Sequence, residues 1–285
     1  LSIGVRKSIV VSLAAIVAAG VLLAQYEPLP PTRLKNGLLY MGDVPYSVLR
    51  AGEDDSMPWP ADGDDPSEWV FGRLRYKNHP PRLNRGDWST DYPKADRHFI
   101  QGLRRLTLIN ARSTEQVVGP DTDDVFDYPW LYAVEVGGMG FSPDEARRMR
   151  QYLLRGGFLL VDDFHGDLQW AGFAEAMAEI FPDRPIVDLK DSDQIFHTVF
   201  ELDQRFQVPG LAAMMYGRTY EDYGGDTQPR WRGILDDKGR VMVAICFNMD
   251  LGDGWEHADA PWYPEKYTSH AYRIAINYIV YAMTH

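Results

Sequence analysis

The chain has a single cysteine, Cys246, among its 285 residues. That excludes an internal disulfide framework and any metal site built from several thiolates. Bases are scarce as well: 29 Lys and Arg stand against 41 Asp and Glu, a formal charge of −12. Such a surface repels phosphate backbones, so a general nucleic-acid or anionic-membrane binder is excluded. No two histidines are spaced as in His-x-x-x-His, and neither a glycine-rich phosphate fingerprint nor a Gly-x-Ser-x-Gly elbow occurs. Gly137-Gly138-Met-Gly140 lacks the second spacing of a dinucleotide cradle and reads as a turn between a strand and a helix. The longest apolar run, Ile9–Ala24, is short of the ~20 residues a spanning helix needs.

That run follows Arg6-Lys7 and ends on a small residue, the layout of a secretory signal. The expectation is an exported protein, periplasmic or extracellular, with residues 1–24 a signal peptide or an uncleaved anchor over 5–24. Residues 25–68 read as a linker. Pro28, Pro30 and Pro31 stiffen its start, and Glu53, Asp54, Asp55, Asp62, Asp64, Asp65 and Glu68 occur in a stretch without Lys or Arg. These acids lack the regular spacing of a calcium loop. The folded domain is expected over 69–285.

The domain is organised around Trp130–Gly166. Trp130–Val136 reads as a strand, Gly137-Gly138 as a turn, Pro143 to about Leu154 as a helix, and Phe158–Val161 as a second strand. Ser142-Pro143-Asp144-Glu145 is a capping box with Pro at the first helical position. Ala146, Met149 and Leu153 recur at helical spacing, and Gly156-Gly157 supply a left-handed end. The second strand is unbroken apolar, as in a strand covered on both faces. Together they predict a βαβ unit with parallel strands. Around it are expected a first strand at Val70–Tyr76, a helix from Lys94 to Leu106, a short strand at Glu115–Val118 and a helix from Leu168 to Ile180. Later come strand candidates at Ile186–Leu189, Val199–Leu202 and Leu211–Gly217, and a hairpin of Trp231–Leu235 with Val241–Phe247. A final helix is expected over Ser269–Met283.

Several pieces in combination resemble a bacterial family known as domain of unknown function 4159. They are Trp88-Ser-Thr-Asp-Tyr-Pro-Lys-Ala-Asp96, Tyr128-Pro129, Leu153-Leu-Arg-Gly-Gly-Phe-Leu-Leu-Val-Asp-Asp163, Ile195-Phe196 and Asn248-Met-Asp-Leu-Gly-Asp-Gly-Trp255. The His-Pro expected before Ile195 reads Asp193-Gln194 here. The resemblance implies an α/β fold similar to class I glutamine amidotransferases: a mainly parallel, flavodoxin-like sheet between helices, here with a β-hairpin region added near the C-terminus. Those enzymes carry a Cys nucleophile after the strand that Phe158–Val161 resembles. This chain has Asp162-Asp163 there, and Cys246 lies in an apolar strand candidate as a buried thiol. Glutamine amidotransferase activity is therefore not expected.

In open parallel sheets ligands sit beyond the carboxyl ends of the strands. Candidate catalytic residues are accordingly Asp162, Asp163 and His165. Candidate ligand-binding residues are Arg75, Asp91, Glu135, Gly137 and Gly138. Two carboxylates and an imidazole suit acid–base work or a cation, or else they cap the helix that follows. Arg75 is read either as a structural ion pair with Asp91 or the Asp162-Asp163 couple, or as a grip on a ligand carboxylate or phosphate. Thr90 or Asp91 is expected to cap the Lys94 helix. Asn248, Asp250, Asp253, Glu256 and His257 read as turn chemistry or a cation loop, and Trp255, Trp262 and Tyr263 as packing or a sugar platform. No cofactor or metal is assigned. The expected role is non-catalytic binding of an envelope protein or a polar small ligand. The alternative is a hydrolase, glycan-directed and metal-assisted, in which Asp91 or Glu135 supplies a second carboxyl.

Overall fold

The computed structural model describes residues 60–63, 65–78 and 86–285, and the backbone of three short strands upstream. The leader at 1–24 and most of the linker lie outside the described residues. The upstream strands, β1 (Thr32–Lys35), β2 (Leu38–Met41) and β3 (Val44–Pro45), pair as an antiparallel sheet within the stretch read as linker. Asp62, Gly63 and Glu68 are tied to the domain: Thr114 Oγ1 donates to the Gly63 carbonyl (3.1 Å), the Asn110 amide donates to Glu68 (2.7 Å), and Arg104 pairs with Asp62 (2.8 Å).

Seven strands form the main sheet. In chain order they are β4 (Gly72–Leu74), β6 (Gln116–Val118), β7 (Trp130–Val134), β9 (Phe158–Asp162), β10 (Val187–Asp188), β11 (Arg230–Leu235) and β12 (Val241–Phe247). Their order across the sheet is β10-β11-β12-β9-β7-β4-β6. From β12 to β6 every pairing is parallel, and β11 joins β12 and β10 antiparallel. The fold is thus α/β, with a mostly parallel sheet and a hairpin near the C-terminus. A separate two-residue pair, β5 (Lys77–Asn78) with β8 (Met139–Gly140), sits after β4 and β7 in the chain.

Helices α1 (Lys94–Leu106), α2 (Pro143–Leu154), α3 (Gly166–Ile180), α4 (Leu211–Met215), α5 (Leu251–Glu256) and α6 (Glu265–Thr284) complete the domain. Alternation along the strands divides the core in two. Trp130, Tyr132 and Val134 of β7, with Phe158 and Leu160 of β9, pack against Phe99 and Leu103 of α1 and Ile274 and Tyr278 of α6. Leu131 and Ala133, with Leu159 and Val161, pack against Met149 and Leu153 of α2 and Phe173 and Met177 of α3. Each buried Leu or Phe contributes about 1.5–3 kcal/mol, which is why these strands carry no polar residue before their ends.

The central unit forms as its residues dictate. Ser142 accepts the Glu145 amide, Glu145 accepts the Ser142 amide, and Pro143 opens α2. Gly156 takes the left-handed cap at φ 111°. Two expectations fail. Leu211–Met215 is helix, not strand, because Leu-Ala-Ala-Met-Met favours helix and offers no polar alternation. Val199–Leu202 is not a strand either: Asn277 Oδ1 of α6 takes the amides of Val199 (3.1 Å) and Phe200 (2.8 Å), removing them from any ladder.

Candidate functional site

Three neighbouring parallel strands end in the same way. β7 runs into Glu135, β9 into Asp163 and β12 into Asn248, and each residue that breaks the strand is left-handed, at φ 57°, 52° and 58°. Asp91, at φ 61°, is the fourth such non-glycine among the described residues. Left-handed backbone is mildly costly for Asp and Asn and more so for Glu. The Tyr76 hydroxyl holds the Glu135 turn, reaching the carbonyls of Val134 (2.7 Å) and Glu135 (2.8 Å). Beyond β9 and β12 the two chains keep one reciprocal pairing: the Asp163 amide donates to Met249 (3.0 Å) and the Asn248 amide to Phe164 (3.0 Å).

This rim gathers acids. Asp162 Oδ2 accepts the amides of Leu251 (2.6 Å) and Gly252 (3.1 Å) and the Tyr132 hydroxyl (3.1 Å), while its buried Oδ1 has no partner. Burial outweighs those three bonds and pushes the carboxyl up to about 7. Asp163 is held well above the carboxylate range by burial and by Glu135, Asp91, Glu221 and Asp162. Burial, then Glu221 and Asp87, push Glu135 up to about 8. Asp250 is raised by burial and by Asp163, Asp253 and Asp91, and Glu221 is raised by burial. Asp253 goes the other way: burial opposes its charge, but the His257 side chain and the Leu211 amide lower its pKa. His165 Nε2 lies 3.1 Å from Asp163 Oδ1, and burial pushes the imidazole down to about 3, so it is neutral. Its Nδ1 is buried without a partner, and its ring stacks on Tyr223 with centroids 5.9 Å apart.

The carboxylate oxygens of Asp91, Asp250 and Asp253 lie within 4.8 Å of one another. At that separation two full charges repel by about 3 kcal/mol at an effective dielectric of ~20. Three such charges are not sustained together without a proton or a counter-ion. Among the described residues, Asp253 with Glu256 and His257, and the more exposed His197 with Glu201 and Asp203, form further groups with metal-ligand spacing.

Asp91, Glu135, Asp163 and Asp162 therefore come together, with His165 on Asp163. Arg75 does not join them: buried, it lies 3.5 Å from Asp121, and its amide donates to Val118. Arg73 serves the site instead. Fully buried, it forks onto Asp96, donates to the carbonyls of Trp88 and Thr90 (3.3 Å each), and lies 4.8 Å over the Tyr132 ring, bracing the loop that carries Asp91. Gly137 and Gly138 are buried in a turn of 3-10 helix. A Cβ on Gly137 would lie 2.5 Å from the Gln169 Cβ, so α3 packing accounts for that glycine.

Neither Thr90 nor Asp91 caps α1. Pro93 occupies the cap position without a side-chain bond, and the Asp91 carbonyl accepts the Ala95 amide. The acid pair does not cap α3 either. Gln169 Oε1 takes the His165 amide (2.5 Å) and Asn248 Oδ1 the Gly166 amide (3.0 Å), whereas Asp162 takes the first two amides of α5 beside that helix's own cap, Asp250. Trp255 is no platform: it is buried at 4.7 Å from the Phe99 ring and 5.1 Å from Tyr132. Cys246 is buried in β12, and burial pushes its thiol up.

Glu221 and Tyr223 were not legible in advance. They sit in the loop between α4 and β11, whose only local signal is Gly224-Gly225. Asn248 anchors that loop, its Nδ2 donating to the carbonyls of Asp226 (2.9 Å) and Gln228 (2.8 Å). Gln207 Nε2 adds bonds to Thr227 (2.9 Å) and Asn248 (2.8 Å). No helix of the described residues is long and apolar enough to cross a membrane.

No curated protein matches the chain. The acidic rim and the parallel strands behind it nonetheless fall inside one recognised unit: the family described as domain of unknown function (DUF4159) matches residues 70–283, about three quarters of the sequence, and the chain belongs to it.

Proposed function

We propose that this is a binding domain, exported to the cell envelope, that seats a polar ligand in the acidic rim at the carboxyl ends of β7, β9 and β12. Its scaffold is amidotransferase-like, with Asp162-Asp163 at the turn where those enzymes keep their sulfur nucleophile and the only thiol buried in β12. Export is supported by the basic, then apolar, order of residues 6–24. The observation that carries the binding reading is convergence: after burial, the leading cause in each case, Glu221 raises the pKa of Glu135, Glu135, Asp91 and Glu221 raise that of Asp163, and Asp163 and Asp91 raise that of Asp250. Buried carboxyls whose neighbours are other carboxyls are favoured by a positive ligand or by one rich in hydroxyl donors. An envelope protein presenting a Lys or Arg side chain satisfies the same chemistry.

The test is a thermal-shift screen at pH 7 with diamines, polyamines and oligosaccharides on wild type and Asp163→Asn. A ligand that raises the wild-type melting temperature and leaves the folded variant unmoved supports the reading. Equal shifts in both proteins place binding elsewhere and overturn it.

A second reading rests on one contact, Asp163 Oδ1 to His165 Nε2 at 3.1 Å. A carboxyl held protonated by burial beside a neutral imidazole is equipped to deliver a proton to a leaving group, the chemistry of a hydrolase. Turnover of glycan or ester substrates that disappears in both Asp163→Asn and His165→Gln would replace binding with catalysis.

A further inference from the structure

We infer that residues 220–223, the tip of the loop between α4 and β11, form a lid over the Asp163-His165 pair that swings between Gly217 and Gly224-Gly225. This rests on the binding reading above and concerns the regulation of that same site. The two feet of the loop are fixed. On one side the Gly217 amide donates to Met214 (2.9 Å), the Arg218 amide to Ala213 (3.0 Å), and Thr219 Oγ1 to Gln207 Oε1 (2.9 Å). On the other the Asp167 amide donates to Gly224 (3.1 Å), the Asp226 amide to Asp167 Oδ1 (3.0 Å), and Asn248 Nδ2 to Asp226 and Gln228. Between the feet, among the described residues, no backbone hydrogen bond ties Tyr220, Glu221, Asp222 or Tyr223 to the rest of the domain. A segment without such bonds opens locally while the fold stays intact. Gly217, Gly224 and Gly225 bracket it at φ 69°, 86° and 83°. A Cβ on Gly217 or Gly224 would meet nothing within 4 Å, so left-handed backbone, not packing, calls for glycine at both. Such positions absorb the rotation of a hinge at least cost.

The tip meets the body through two side chains. Tyr223 lays its ring on His165, with centroids 5.9 Å apart and planes at 26°, and its hydroxyl bonds to Glu221. Glu221 reaches inward: a Cβ on Gly210 would collide with its Oε1 and lie 2.8 Å from Asp250 Oδ2. The charged groups that bear on Glu221 and on which it bears are acids, Asp253, Glu135 and Asp163, so charge does not draw the tip down. Closure rests on the ring stack. Under that ring His165 is buried, with Nε2 on Asp163 and Nδ1 without a partner. An orphaned ring nitrogen is costly, and lifting Tyr223 lets water or a ligand reach it. Closed and open states are thereby set close in free energy, as a lid requires.

The experiment treats the full chain with diethyl pyrocarbonate at pH 7 and follows each histidine by mass spectrometry. The reagent takes neutral imidazoles, and burial keeps His165 neutral at this pH. Wild type is expected to modify His165 at least tenfold more slowly than the exposed His285. In Tyr223→Ala the His165 rate should rise at least tenfold while the buried His270 is unchanged, and Tyr216→Ala, an exposed ring outside the tip, should leave His165 as in wild type. A second measurement needs no variant. Below the unfolding transition, urea should barely alter the wild-type His165 rate, because lifting a lid exposes little surface, while the His270 rate climbs steeply. Equal His165 rates in wild type and folded Tyr223→Ala overturn the inference, as does a His165 rate that climbs with urea in step with His270. If ligands raise the melting temperature through Asp163 while Tyr223→Ala leaves His165 unmoved, only the lid falls. If Tyr223 gates His165 and no ligand of the thermal-shift screen binds, the binding reading falls and the lid stands.

Discussion

Two groups of buried acids lie close together in this domain and are treated in opposite ways. Next to α1, each acid has its own base: Asp96 is gripped by Arg73, and Glu115 takes Arg97 at 3.1 Å and the Tyr92 hydroxyl at 3.0 Å. At the rim, Asp91, Glu135, Asp163 and Asp250 act on one another as like charges. In the first group the electrostatic partner of each acid is a guanidinium, whereas at the rim the acids that are raised are raised by other acids. Arg73 connects the two, spending its fork on Asp96 while its other bonds fix the loop of Asp91.

The comparison is broken most severely at Arg73. Arg73→Met strands Asp96 in the core and is expected to cost about 3–5 kcal/mol, read from urea or thermal unfolding. Next comes pH. Glu135 is pushed up to about 8 in the folded protein from 4.5 in the unfolded chain, so between those values the folded state keeps a proton that the unfolded state has released. Stability is full below about 4.5 and declines as pH rises through 8, by roughly 2 kcal/mol after allowance for partial exposure. Melting temperatures from pH 5 to 9 should fall, and Glu135→Gln should flatten the fall; Glu221 and Asp87, which bear on the same carboxyl, leave a residual slope.

Asp163→Asn has a smaller effect of opposite sign. Removing one of several repelling acids should leave stability unchanged or raise it by up to about 1 kcal/mol, in contrast to the loss at Arg73. The weakest expected effect is at the surface, where Arg150 forks onto Asp183 at 2.7 and 2.8 Å. Asp183→Ala should leave the melting temperature nearly unchanged, since solvent already screens that pair. A large loss there would show that pairing rather than burial separates the two groups.

Much of the scaffold was written locally. α1 and α2 follow from spaced apolar residues and a capping box, and β9 and β12 from apolar runs too short for helices. Placing Asp162, Asp163 and Glu135 at one rim needed only parallel strands and the rule that their carboxyl ends bear sites. What escaped depends on distant contacts. α5 contains Gly252 and Gly254, poor helix formers, and besides its local cap Asp250 its first amides are held by Asp162, from a strand some ninety residues away. Arg73 and Arg75 alternate on paper, yet one goes to Asp96 and the other to Asp121, a choice made by α1 and the loop after β6. Glu221 reaches the rim through a loop whose anchor, Asn248, belongs to another strand.

That asparagine has a consequence for motion. One carboxamide joins the first turn of α3 through Gly166 to the loop between α4 and β11 through Asp226 and Gln228. Displacing that loop takes away two of the bonds that fix the carboxamide in place on Gly166. Movement of the loop should therefore be read at the Gly166 amide, whose hydrogen-exchange rate rises whenever the carboxamide lets go.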